Sequence, residues 1–218
     1  MSGLRERLAH VLWIGGGPCV GKSTLARMLA GTYDLKIYDC DWHHAHEHGR
    51  RPGGVPPGWF EQSMDERWLL PTPQALAERD LASWTARFAF VIEDLVALPR
   101  DRPIVAEGPS VFPWSVAPVI GVPSQAIFLM PTRAWREAVL ARRHRDAPGG
   151  RFEARTSDPE RAARNRLDRD DRMAKRIVAS CNELGLRQVP MDGSRDLDDN
   201  VALLEEHFRP HLPTQRNA

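Results

Sequence analysis

The feature that most constrains the fold of this chain is an eight-residue pattern, Gly-x-x-x-x-Gly-Lys-Ser, which runs from Gly16 to Ser23. An apolar run (10–14) precedes it, and a helical pattern (22–30) follows it. Glycines let the backbone curl until successive N–H groups face phosphate oxygens, and the start of the next helix adds its positive end. The pattern and its flanks predict a nucleoside-triphosphate site at this loop.

Two side chains of the pattern carry the chemistry of such a site. Lys22 is expected to reach the β- and γ-phosphates, and the Ser23 hydroxyl is expected to ligate Mg²⁺. ATP and Mg²⁺ are therefore the expected cofactors. The residues predicted to bind the nucleotide are Gly16, Gly17, Pro18, Cys19, Val20, Gly21, Lys22, Ser23 and Thr24.

Short apolar runs alternate with helical patterns along the rest of the chain. This rhythm is typical of a parallel sheet covered by helices. The sequence therefore predicts an α/β protein with three layers, a five-stranded parallel sheet and a P-loop NTPase fold. With 218 residues, the chain has the length of one domain. The candidate strands are residues 10–14, 35–39, 103–107, 125–130 and 187–191.

More than sixty residues separate the second and third candidate strands, which is too many for one crossover helix. An irregular loop rich in proline and glycine (51–58) lies in this gap. Thr72 followed by Pro73 fits a helix N-cap and first turn, and apolar residues at helical spacing continue to Pro99. We expect a helical insertion over about residues 42–101 that binds the second substrate.

The second candidate strand ends in Asp39-Cys40-Asp41. With the phosphate loop, the chain resembles the small P-loop kinases, a group that includes nucleoside monophosphate, shikimate and gluconate kinases and chloramphenicol phosphotransferase. The Asp-x-Asp resembles the one that closes the second strand of shikimate kinases. The resemblance implies that Asp39 helps to hold hydrated Mg²⁺ and that Asp41 faces the acceptor hydroxyl and takes its proton. Alternatively, both aspartates cap the next helix.

Four histidines follow the two aspartates, between His43 and His48. On a helix, His44 and His48 share one face, a spacing that can hold zinc. The order His-Glu-x-x-His is absent, however, and no second Cys/His cluster supplies further ligands. A polar helix that faces solvent or substrate is the simpler interpretation.

Three further residues are predicted to contact the substrate. Glu107 ends the third candidate strand, where a carboxylate could bind the substrate or a water on Mg²⁺; a plain strand terminus is the alternative. Trp42 and Trp59 lie beside loops at the predicted ligand edge and are expected to wall the acceptor pocket. Trp84, on the helical stripe of the insertion, is expected to pack in the core.

An arginine-rich segment (about 142–160) loosely resembles the lid of adenylate kinases, where paired arginines precede a Gly-Arg-aromatic step. By that resemblance Arg142 and Arg151 are the first candidates to close over the transferring phosphate, followed by Arg169. A guanidinium group in this position neutralises developing charge. The alternative is a helix in which arginines pair with Asp168, Asp170 and Asp171.

The composition narrows the possible partners. The net charge is +1, so neither a nucleic acid nor a membrane surface is an expected partner. The three cysteines show no CxxC spacing and are expected to be reduced thiols in the cytoplasm. We expect a small-molecule substrate and a monomeric or homodimeric protein.

These features predict an enzyme that transfers the γ-phosphoryl group of ATP to a hydroxyl of a small organic acceptor, such as a metabolite, sugar, nucleoside or antibiotic. A nucleoside monophosphate kinase is the second hypothesis, and it requires an arginine clamp contributed by the insertion. The third is a nucleotide-dependent switch with a protein partner, which requires an exposed apolar patch over the insertion.

Overall fold

The computed structural model describes residues 2–146 and 152–214. The helices are α1 (Ser2–Arg7), α2 (Lys22–Tyr33), α3 (Cys40–His46), α4 (Met64–Trp68), α5 (Pro73–Ala97), α6 (Pro113–Val116), α7 (Arg133–Asp146), α8 (Pro159–Leu184) and α9 (Leu197–Phe208). The strands are β1 (Val11–Gly16), β2 (Lys36–Asp39), β3 (Ile104–Glu107), β4 (Ala126–Pro131) and β5 (Arg187–Met191). Each of the five predicted strands is present, with small differences in its ends.

The strands form one parallel sheet in the order β2-β3-β1-β4-β5. Helices cover both faces, so the predicted three-layer α/β architecture and P-loop NTPase fold are confirmed. The residues of β1 alternate between the two layers. Val11 and Trp13 pack in a core that also holds side chains of α5 and α8, whereas Leu12 and Ile14 pack against α2 and α9. Both faces of β1 are therefore buried, which explains its uninterrupted apolar sequence.

The strand register brings the predicted polar residues to one edge of the sheet. Glu107 of β3 pairs with Ile14 of β1 on one side and with Asp39 of β2 on the other. The glycine loop leaves the sheet at the same edge, directly after β1. Ligands of open α/β sheets bind beyond this carboxyl edge.

The long connection between β2 and β3 holds α3, α4 and α5, as the insertion hypothesis requires. Thr72 caps α5, since its side chain accepts a hydrogen bond from the backbone N–H of Ala75, and Pro73 occupies the first turn. The predicted long helix is confirmed, and α5 packs along α8.

Among the described residues no helix is both long enough and apolar enough to cross a membrane. The three cysteines, all within the described residues, are free and buried.

Candidate active site

The phosphate loop has a backbone that most residues could not adopt. Gly16 has φ +112°, and a Cβ there would lie 2.0 Å from the carbonyl oxygen of Leu129. Gly21, at the N-cap of α2, has φ +76° in the left-handed region. Within the described chain no side chain caps α2. Its first N–H groups therefore remain available to an anion.

Lys22, Ser23 and Glu107 meet where α2 begins. The Lys22 ammonium donates to the carbonyl oxygen of Gly17 at 2.8 Å, and the Ser23 hydroxyl donates to Glu107 Oε1 at 2.7 Å. Burial lowers the pKa of Lys22, against the opposing effect of Glu107 and Asp41. Burial likewise raises the pKa of Glu107, which is 2% exposed, although Ser23 and Lys22 oppose the shift.

The two aspartates after β2 have different positions. Asp39 caps α3, because its Oδ1 accepts a hydrogen bond from the Trp42 backbone N–H at 3.0 Å. Of the two aspartates, Asp39 therefore has the helix-capping position that was the alternative interpretation for both. Asp41 instead lines a cavity together with Lys22. Asp41 is exposed as a residue, but its surroundings desolvate the carboxylate enough to raise its pKa, against the effect of Lys22.

This cavity has a volume of about 310 Å³ and extends from the phosphate loop to the insertion and α8. One end is formed by Gly16, Gly17, Pro18 and Lys22, with Asp41 in the wall. The remainder is mainly aromatic and apolar. Its lining residues there include Trp68, Trp84, Phe112, Phe152, Met173 and Ile177.

The tryptophans predicted to wall this cavity are not among its lining residues. Trp42 is 48% exposed and stacks on His46. Trp59 contacts Trp68 edge-on, with ring centroids 5.9 Å apart, and Arg79 covers its face. Glu107 also faces Ser23 instead of the cavity. The placement of these three residues gives the predicted substrate contacts no support.

The residues that do form the wall come from distant segments. Trp68 packs on Phe152 with centroids 4.3 Å apart, across more than eighty residues of sequence. Trp84 packs against the core, as expected, and also lines the cavity. Met173 and Ile177 lie on one face of α8. Their i,i+4 spacing is the sequence feature that could have indicated a shared apolar face.

The three arginines predicted to close over the transferring phosphate lie in different places, and Arg166, which was not predicted, lies near one of them. Arg142 is exposed on α7, and Arg151 lies outside the described residues. Arg166 and Arg169, both on α8, line the cavity. Arg166 donates to Glu153 at 2.7 Å.

Arg169 is held between two buried acids. It donates to Asp80 at 2.8 Å and to Asp170 at 2.6 and 2.9 Å. Burial disfavours its charged form, but Asp170 and Asp80 keep the pKa of Arg169 above its usual value. For Arg169, the structure therefore shows the alternative interpretation, in which the arginine pairs with aspartates. Arg133 and Arg136 likewise pair with Asp171.

The histidine stretch forms a hydrogen-bonded chain beside the cavity. His44 contacts Ser110 Oγ through Nε2 at 3.0 Å and His48 through Nδ1 at 2.9 Å. His48 Nε2 then contacts Asp94 Oδ2 at 2.7 Å. Burial, followed by Arg87 and His48, lowers the pKa of His44 to about 3, so its ring is neutral at pH 7. His44 and His48 are thus ordered side chains of the interior.

No family model and no curated protein match this chain. Among solved structures, it is similar to thymidylate kinase from Candida albicans, with 14% identity over 95% of this chain and 96% of that chain and a TM-score of 0.48. At this identity and TM-score the neighbour says nothing about the activity of the chain. We therefore derive the chemistry of the site from its own residues.

Proposed function

We propose that the protein is an ATP-dependent phosphotransferase that moves the γ-phosphoryl group to a hydroxyl of a small organic acceptor. One observation carries the proposal: a single cavity is lined by the phosphate loop, by the Asp41 carboxylate and by an aromatic wall. A phosphate donor and an apolar acceptor bound there would meet at Asp41. Phosphoryl transfer depends mainly on such positioning and on charge stabilisation.

The loop end of the cavity suits a triphosphate. Lys22, now bonded to the Gly17 carbonyl, would turn to the β- and γ-phosphates, and the uncapped start of α2 would face them. Ser23 and Glu107 offer oxygen ligands 2.7 Å apart, with Asp39 in the next strand, and this donor set fits Mg²⁺. When bound, Mg²⁺ would neutralise phosphate charge.

Asp41 is the residue that would act on the acceptor. A hydroxyl group is far less acidic than an aspartic acid, so Asp41 would orient the hydroxyl and accept its proton late in the transfer. The raised pKa of Asp41 makes it a stronger proton acceptor than an aspartate with an unshifted pKa. Lys22 opposes this shift and so favours the ionised carboxylate.

The wall favours an acceptor with a planar or apolar part. Trp68, Phe112 and Phe152 contribute aromatic surface to the lining, and Met173 adds an adaptable apolar surface. A volume of about 310 Å³ limits the bound group to the size of a small metabolite, nucleoside or antibiotic fragment.

The arrangement of arginines argues against a nucleoside monophosphate as acceptor. That hypothesis requires an arginine clamp from the insertion, and no arginine of residues 42–101 is among the lining residues described for the cavity. Arg79 donates to the Arg67 carbonyl and lies beside Asp80. The cavity arginines Arg166 and Arg169 come from α8, and acids already neutralise both.

The test is ADP release measured across a panel of nucleosides, nucleoside monophosphates, sugars and aromatic or aminocyclitol antibiotics. We expect one acceptor class with an apolar part to raise turnover above the basal ATPase rate. Lys22→Met should abolish the increase. Lys36→Met is the matched control, because Lys36 is a lysine outside the cavity that bonds to the Pro99 carbonyl.

Two results would count against the proposal. If monophosphates alone stimulate ADP release, the protein is a nucleoside monophosphate kinase. If no acceptor stimulates and Asp41→Asn leaves basal hydrolysis unchanged, Asp41 has no role in transfer and the nucleotide-dependent switch becomes the better hypothesis.

A further inference from the structure

Outside the cavity, four side chains with metal-ligating groups converge where the end of α3 meets α5. They are His43, Glu47, His48 and Asp94, and one donor atom of each lies within 4.8 Å of the others. None of them lines the cavity described above. His48 is 1% exposed, whereas the other three reach solvent in part. The cluster is thus set into the surface, with one buried member and an open side.

The donor atoms already lie in two close pairs. His43 Nδ1 is 2.7 Å from Glu47 Oε2, and His48 Nε2 is 2.7 Å from Asp94 Oδ2. Two imidazole nitrogens and two carboxylate oxygens are a donor set that zinc accepts in tetrahedral sites. Tetrahedral ligands at about 2.0 Å from the metal lie about 3.3 Å apart. Small side-chain rotations would bring the four atoms to that separation.

The donors also have the outer contacts that metal sites require. The Tyr38 hydroxyl donates to Asp94 Oδ2 at 2.6 Å, and the Tyr38 ring stacks on His43 with centroids 4.2 Å apart. His48 Nδ1 faces His44 Nδ1 at 2.9 Å, and His44 Nε2 faces Ser110 Oγ. Such contacts orient ligating rings and carboxylates and fix the tautomer of a histidine.

The chain of histidines can supply the tautomer that a metal needs. With hydrogen on His48 Nδ1, that atom donates to His44 Nδ1, and His44 Nε2–H donates to Ser110. The lone pair of His48 Nε2 is then free to bind a cation next to Asp94. The His48–His44 and His44–Ser110 hydrogen bonds can form with their hydrogens in either arrangement, so this tautomer needs no movement of the backbone. Only the hydrogen bond from His48 Nε2 to Asp94 would be lost, and the cation would take the place of its hydrogen.

One charged neighbour acts against a cation. Arg51 lies 3.7 Å from Asp94 Oδ1 and pairs with Glu93. It faces the Asp94 oxygen that is not part of the cluster, and its guanidinium lies over the Phe90 ring. Oδ2, the atom shared by Tyr38 and His48, therefore remains the ligand.

We propose that His43, Glu47, His48 and Asp94 form a zinc site that clips the end of α3 to α5. Asp41 lies two residues before His43 on α3, so the clip would fix the helix that carries the acceptor-positioning carboxylate. The role is structural, and the site is separate from the oxygen ligands at Ser23 and Glu107.

The test uses metal-stripped full-length protein without nucleotide, titrated with Zn²⁺ by calorimetry and with Co²⁺ by visible absorption. We expect one ion per chain and the absorption of a tetrahedral cobalt centre. A Zn²⁺ concentration about 100 times Kd should raise Tm by about 5–10 °C. His43→Asn and Glu47→Gln, which change partly exposed residues, should each weaken binding at least tenfold.

Two controls make the result decisive. His46→Asn removes a histidine of the same helix that bonds to the Trp42 carbonyl, and it should leave affinity unchanged. Glu107→Gln should leave it unchanged as well. The proposal fails if no ion binds, if His43→Asn and His46→Asn bind equally, or if Glu107→Gln abolishes the cobalt signal.

Discussion

Two clusters of charged residues each contribute side chains to the cavity lining, and they differ in how far their charges are neutralised. Around the phosphate loop, burial raises the pKa of Asp41 and Glu107 and lowers that of Lys22. The charged form of each of these side chains is therefore disfavoured. On α8, Arg169 bonds to Asp80 and Asp170, and their charges keep its pKa high. Groups whose pKa is shifted against ionisation are typical of sites that bind a ligand, whereas charges that neutralise each other are typical of structural ion pairs.

The strongest test of this difference is removal of the Asp41 charge. Asp41→Asn should lower the acceptor-stimulated rate by about 10²–10⁴-fold, the range of a general base. Tm should change little. Asp196→Asn is the matched control, since Asp196 caps α9 far from the cavity. Steady-state kinetics and thermal melts check both statements, and an unchanged rate would remove Asp41 from the mechanism.

The opposite result is expected on α8. Arg169→Met leaves Asp80 and Asp170 as buried carboxylates without their shared cation, which costs about 3–5 kcal/mol of unfolding free energy. In a chain of this length that corresponds to a fall in Tm of about 6–20 °C. Arg172→Met is the control, because Arg172 is exposed on the same helix and bonds to Gln74. Equal melting temperatures for the two variants would contradict the conclusion that Arg169 neutralises Asp80 and Asp170.

A smaller effect should separate the observed aromatic wall from the predicted one. Trp68→Leu removes a ring that lines the cavity and should raise KM for the acceptor about tenfold, equivalent to about 1.4 kcal/mol. Trp42→Leu should leave KM unchanged, because Trp42 is exposed on α3 outside the cavity. If Trp42→Leu raises KM and Trp68→Leu does not, the acceptor binds on the α3 side.

The smallest expected effect is a gain in stability when Glu107, one of the charged residues at the phosphate loop, is made neutral. Because burial raises the folded-state pKa of Glu107 above 4.5, its charge costs stability above that raised pKa and costs nothing below about 4.5. Glu107→Gln should therefore stabilise the protein by about 0.5–2 kcal/mol at pH 8, and the gain should vanish towards pH 4.

Thermal melts of wild type and Glu107→Gln from pH 4 to pH 8 measure this trend. A gain that grows as the pH falls would reverse the sign and show that the folded protein depresses the pKa of Glu107. Glu61→Gln, at an exposed glutamate of the insertion, is the control and should show no pH-dependent difference.

Local patterns were sufficient to predict the strands, the long helix α5 and the phosphate loop. Each depends on contacts within a few residues, such as the cap that Thr72 provides and the left-handed backbone at Gly21. The same patterns could not separate Asp39 from Asp41. Two residues apart, one caps α3 and the other faces the cavity.

The cavity wall shows why the sequence could not identify the residues that line the cavity. Trp42 and Trp59 were chosen because they lie beside loops in the sequence. The wall instead forms where α4, the short helical turn that begins at Phe152, and α8 pack together. Trp68 and Phe152 become neighbours through that packing, which no local pattern encodes. The environment of Arg169 likewise depends on tertiary packing, because the acids that neutralise it come from α5 as well as α8.

The sequence by itself determined the α/β sheet and the phosphate loop, because strand periodicity and the backbone freedom of glycine act over neighbouring residues. The tertiary structure alone decided which charges are neutralised, which rings enclose the cavity, and that four metal-ligating side chains meet between α3 and α5. Those outcomes depend on distances between segments remote in the chain. Such distances are fixed when the helices pack on the sheet.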